Sequence, residues 1–174
     1  MEPYSQIQSE PKEAIPKLLK LKAEYPNIPM IYNYLALAYG QIRDYSATEV
    51  MCIENYTKNP DYLFAKINYA EMCLGKEEYE KTAEIFDNKF DLKLLYPDRN
   101  EFHISKFEGF TGIVCIYFYK IGKKKPVKIL YNSLKEVSPD SAIFRRVNRI
   151  LYPSLMIRLL RKLRNKKTDH KIEA

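Results

Sequence analysis

Tyr32, Leu35, Ala36 and Tyr39 fall at i, i+3, i+4 and i+7, which places them on one face of a helix. The polar stretch "RDY" (43–45) interrupts that pattern and makes a tight turn, its tyrosine tucking back onto the next helix. A second helix follows, carrying Thr48 and Cys52, and Pro60 stops it because proline cannot continue the hydrogen-bond ladder. The pattern then returns. Residues 29–62 and 63–96 superpose without a gap at a period of 34, setting Leu35 on Tyr69, Ala36 on Ala70, Tyr39 on Cys73, Asp44-Tyr45 on Glu78-Tyr79 and Cys52 on Phe86. Each helix pair has an apolar face that it cannot bury alone, so stacked pairs supply the core.

A third copy starts near Glu108 after an insertion of 11 residues. Val114, Cys115 and Phe118 take the Leu-Ala-Tyr columns, and Gly122 and Pro126 punctuate the turn. Pro26, Pro60 and Pro139 close successive second helices, whereas Leu94 stands at the corresponding place in the second copy. Before residue 29 a half copy fits, with Ala14, Leu18 and Leu21 leading to "EYPN". Pro16 conflicts with that half copy, and the helix is expected to start late or bend there. The insertion, residues 92–106, is expected to lengthen the helices on both sides and the loop around Pro97.

The period, the Tyr32-Leu35-Ala36-Tyr39 set and the closing prolines resemble the tetratricopeptide repeat family over roughly residues 10–140. Thr48 and Thr82 depart from it, since alanine is usual at that place. The resemblance implies an all-α fold: a right-handed superhelical solenoid of helix hairpins, a half repeat plus three units. It also implies peptide binding on a concave surface lined by first helices. Its lining would be Met30, Asn33, Leu37, Gln41, Phe64, Ile67, Asn68, Glu71, Leu74, Ile116, Tyr119 and Lys120. Some members grip chaperone tails with a two-carboxylate clamp. The matching positions here are Met30, Tyr34, Asn68, Gly109 and Ile113, and only Asn68 agrees, which argues against that ligand.

After Pro139, Ile143, Val147, Ile150 and Leu151 share one face and read as a capping helix. Beyond Pro153, "SLMIRLLRKLRNKK" reads as a basic amphipathic helix striped by Leu155, Leu159, Leu160 and Leu163. The organisation expected is a repeat domain over 1–140 and a capping helix with basic tail over 141–174.

Charge sharpens that division. Of the net +7, residues 141–174 hold 10 Lys+Arg against 2 Asp+Glu, while residues 1–140 hold 19 against 20. An anionic membrane or nucleic acid is therefore the alternative partner, through Arg145, Arg146, Arg149, Arg158, Arg161, Lys162, Arg164, Lys166 and Lys167. "GKKKP" (122–126) reads as a solvated turn, with anion contact as its alternative.

Hydrophobic content of 46% and only 5 glycines suit a helical globular chain. Cys52, Cys73 and Cys115 lie far apart without partner histidines and read as core residues in a reducing compartment. No secretory pattern opens the chain and its longest apolar run, 109–119, is about half of a membrane span, so a cytoplasmic location is expected.

The sequence has no phosphate-binding glycine loop and no context for a nucleophile. His103 lies between Glu101 and Glu108, but Glu101 and His103 are two apart and share no helix face. The expectation is a non-catalytic interaction module without a cofactor, binding a protein or peptide segment. A homodimer through the apolar flank near Leu18 and Leu21 stays open.

Overall fold

The structure, a computed structural model, describes residues 7–154 and is helical with no strand among them. It divides into two compact units, residues 1–113 and 114–174, and the break falls inside a helix. The tail positions Arg158, Arg161, Lys162, Arg164, Lys166 and Lys167 lie outside the described residues.

In the first unit α1 (Pro11–Glu24), α2 (Pro29–Gln41), α3 (Tyr45–Lys58), α4 (Leu63–Gly75) and α5 (Tyr79–Ile85) each pack on the next in chain order. The 34-residue period is kept to the residue: α2 and α4 are both 13 residues long and begin at Pro29 and Leu63. The turns repeat as well. Asp44 N donates to Tyr39 O and Glu78 N to Cys73 O, both at 2.9 Å, while Arg43 and Glu77 both have φ of 63°. Thr48 and Thr82 bond back to the carbonyls of Asp44 and Glu78 at 2.8 and 2.9 Å, so the hydroxyl found where alanine is usual is satisfied locally.

Packing follows the apolar columns. Leu35 and Tyr69, Ala36 and Ala70, Cys52 and Phe86 are buried in pairs. Tyr32 is fully buried, its hydroxyl donating to Pro26 O at 2.6 Å, and Lys58 reaches that hydroxyl at 3.1 Å. Lys22 of α1 pairs with Glu54 of α3, and Lys58 bonds the same carboxylate at 3.0 Å, which ties α1 to the first hairpin. Burial raises the Glu54 carboxyl, but the two ammonium groups outweigh it and hold the group below its ordinary value.

Two expectations need correction, the late start of the first helix and the lengthened helix before the insertion. α1 starts at Pro11 and runs through Pro16, which costs the Lys12 carbonyl its helical partner. Of the apolar flank in α1, Leu18 is buried in a core that also takes in Ile7, and Leu21 stays exposed. The insertion does not lengthen the helix before it: α5 has only 7 residues. Asp87 and Asn88 both take left-handed φ, Asn88 N closes on Ala83 O, and buried Lys66 donates to Ile85 O at 2.9 Å. The carbonyls at that helix end thus find donors where the chain turns away.

The insertion then forms a short helix, α6 (Leu92–Leu95), capped by Asp91, and a loop in which Tyr96 donates to Asp61 O at 2.9 Å. The next helix, α7 (Ile104–Lys120), is longer than its predecessors at 17 residues. Its Gly109 lies against α4, where a Cβ would meet Ile67 Cδ1 at 3.2 Å.

In the second unit, residues 114–120 of α7 are followed by α8 (Lys124–Val137) and α9 (Ala142–Leu151). Val114 and Cys115 are buried, and the Cys115 thiol donates to Val127 O at 3.7 Å. The turn repeats that of the first unit: Lys123 N donates to Phe118 O at 2.9 Å and Gly122 has φ of 74°. Ser138 N donates to Leu134 O at 2.9 Å, as Asn59 N does to Asn55 O at 2.8 Å, each just before a closing proline. Ser141 caps α9, which buries Val147 and Leu151 and packs on α8. No helix among the described residues is long and apolar enough to cross a membrane.

Candidate functional site

The first unit holds an open cavity of about 810 Å³. Helical spacing builds each wall. Asn33, Ala36 and Leu37 come from α2, then Tyr45, Thr48, Glu49 and Cys52 from α3, and Asn68, Glu71, Met72, Gly75 and Lys76 from α4 with its cap.

An asparagine chain fixes one end. Asn59 donates to Asn55 Oδ1 at 3.0 Å, Asn55 donates to Asn33 Oδ1 at 2.9 Å, and Asn68 donates to the same oxygen at 3.0 Å. Asn55 is buried and also reaches Pro29 O at 3.2 Å, so its amide is fully used. Burial pushes the Tyr62 phenol up, while the Asn33 amide beside it pulls the other way. Among the described residues the Asn68 carbonyl oxygen is left without a donor, at the cavity wall. The other end is charged: Glu49 pairs with Lys76 across α3 and α4, and Glu71 lies exposed. Ala36, Leu37, Met72 and Cys52 give apolar surface between them.

Cys52 is the one thiol in this lining. Burial first, then the charges of Glu71 and Glu49, push it up to about 11, so it stays protonated at neutral pH. Burial likewise takes Cys73 to about 11 and Cys115 to about 12, and all three are free and buried. His103 is exposed and caps the start of α7, its Nδ1 accepting from Ser105 N at 3.2 Å. Among the described residues no group of three or more His, Cys, Asp or Glu is arranged to hold a metal ion.

The cavity gathers four of the residues expected to line the groove: Asn33, Leu37, Asn68 and Glu71. Met30 and Gln41 are exposed on α2 outside it, and half-buried Phe64 faces Gly109 of α7. Ile67, Leu74 and Ile116 are buried in the packing between helices, which removes them from any open lining. Tyr119 and Lys120 are exposed in the second unit. Sequence reasoning missed the α3 wall. Its available signal was Thr48, polar where the pattern wants alanine, with Glu49 and Cys52 on the same face. Of the basic positions, Arg145, Arg146 and Arg149 are exposed on α9.

Comparison with family models, curated proteins and solved structures finds no match to this chain.

Proposed function

We propose that this chain is a non-catalytic interaction module of the tetratricopeptide-repeat kind, its hairpins stacked as a right-handed solenoid, which binds a segment of another protein in the cavity of its first unit. The observation that carries the reading is the convergence of Asn33, Leu37, Asn68 and Glu71, from two helices in equivalent positions, on one open cavity. An extended peptide presents backbone N–H groups, for which the Asn68 carbonyl is a ready acceptor, and side chains for the Leu37–Met72 surface. Desolvated apolar contacts of that sort supply most of the energy of such binding. In that lining Glu49 is paired with Lys76 and Cys52 is held as a thiol, which supports the non-catalytic reading. A cytoplasmic setting is part of the proposal, supported by three free, buried cysteines.

The test is selection of ligands for the full chain from a random peptide display library, followed by calorimetry on the selected peptides. Asn68→Ala and Leu37→Ala are each expected to weaken binding about tenfold, a loss of about 1.4 kcal/mol. Peptides that bind these variants as tightly as the parent would sink the assignment of this cavity.

A further inference from the structure

The second unit holds a cavity of about 610 Å³ that the peptide reading does not use. Lys124, Val127, Lys128 and Tyr131 of α8 fall at i, i+3, i+4 and i+7 and form one wall. They stand at a constant spacing of 79 residues from Tyr45, Thr48, Glu49 and Cys52, which form the α3 wall of the first cavity. The two cavities are therefore the same feature of the first and third hairpins, with a different balance of polar groups. Where the first carries two asparagine amides and two carboxylates, the second carries Lys123, Lys124 and Lys128 with three tyrosines, and no carboxylate lines it.

We propose that this cavity binds single-stranded nucleic acid, a base entering among Tyr119, Tyr131 and Tyr152 while Lys123, Lys124 and Lys128 hold the adjoining phosphates. Tyr119 and Tyr152 are 39% and 58% exposed, which leaves ring surface accessible for stacking. Tyr131 is held from behind by a 2.8 Å bond from its hydroxyl to Asn148 and by its edge-on contact with Tyr152. Val127 and Leu151 give the cavity an apolar floor for a flat base.

Charge selects the ligand class. Residues 114–154 hold nine Lys+Arg against two acidic residues, Glu136 and Asp140, neither of which lines the cavity. An acidic peptide is the competing occupant. Peptide main chain asks for amide partners, and the cavity offers one, Asn132, against three phenol rings. The chain's own tail is a poor occupant, because residues 155–174 carry seven Lys+Arg against two acidic residues.

The proposal is independent of the peptide reading, and either can fail without the other. Its test uses the full chain with a 12-residue oligouridylate containing 5-iodouridine. Photo-crosslinks are mapped by mass spectrometry and affinity is read by fluorescence anisotropy at low and high salt. Crosslinks to Tyr119 or Tyr152 are expected, with affinity falling steeply as salt rises. Tyr119→Ala with Tyr152→Ala should lose about tenfold or more, while the paired Phe variants keep binding because the stacking face remains. Lys124→Glu with Lys128→Glu should lose at least as much. No oligonucleotide binding, crosslinks confined to residues beyond 154, or equal affinity in the tyrosine variants would each overturn the proposal. So would a poly-glutamate peptide or vesicles containing phosphatidylserine binding more tightly than the oligonucleotide.

Discussion

Arg43 and Glu77 hold left-handed backbone at the two turns of the first unit, and the equivalent residue of the third turn is Gly122. A side chain in that region costs about 1 kcal/mol relative to glycine, offset in part because glycine gives the unfolded chain more freedom. Nothing lies within 4 Å of a Cβ built on Gly122, so a substitution there meets only the backbone cost. Glu77→Gly and Arg43→Gly are therefore expected to stabilise the chain by about 0.5 to 1 kcal/mol, and Gly122→Ala to destabilise it by a similar amount. Urea unfolding measures all three, and unchanged midpoints throughout would mean these turns carry no strain. Glu54 gives a second residue-scale expectation. Its carboxyl is held below its ordinary value by Lys22 and Lys58 against the effect of burial, so it is charged in the folded state. A depressed carboxylate contributes stability that is present above the unfolded value, about 4.3, and fades as pH falls through the folded one. Glu54→Gln should cost about 1 kcal/mol at pH 7, with the deficit shrinking below about pH 4. A deficit that stays constant down to pH 3 would assign the loss to packing alone.

At the scale of elements, the repeat was legible because one spacing governs both the apolar columns and the stops. The prolines at 26, 60 and 139 mark where second helices end, and the backbone bonds just before them recur with them. The second copy, with Leu94 in the proline's place, is where the regularity fails, and the physical reason lies in residues the period does not single out. Asp87 and Asn88 tolerate left-handed backbone, and Lys66 of α4 is buried to reach the end of α5. Long-range choices of this kind leave no periodic trace. The candidate site was legible on its first-helix wall, since Asn33, Leu37, Asn68 and Glu71 lie on a face that the apolar columns leave open. Its α3 wall was not, because exposure of Thr48 and Glu49 depends on where α4 comes to rest. The burial of Ile67 was not legible for a matching reason: Gly109 lets α7 close over it, and the partner of a small residue cannot be read from that residue alone.

At the scale of the whole molecule, the charge asymmetry that the sequence shows across residue 140 is also present across the break between the compact units. Residues 1–113 carry 13 Lys+Arg against 18 Asp+Glu, and residues 114–174 carry 16 against 4, so each compact unit has its own sign. Opposite signs fit two different ligand classes, an amide-rich segment for the first unit and a polyanion for the second. Whether the units also unfold separately can be read from the cysteines. Cys52 and Cys73 are buried in the first unit and Cys115 in the second, and burial holds all three as thiols with values of about 11 to 12. Alkylation needs the thiolate, so in the folded chain all three should react far more slowly than an exposed cysteine. With rising urea, each thiol should become reactive as its own unit opens. Cys52 and Cys73 are expected to share one midpoint and Cys115 to have another, measured by pulsed alkylation and peptide mass spectrometry. One midpoint for all three would mean that α7, which runs across residue 113, couples the units into a single cooperative fold.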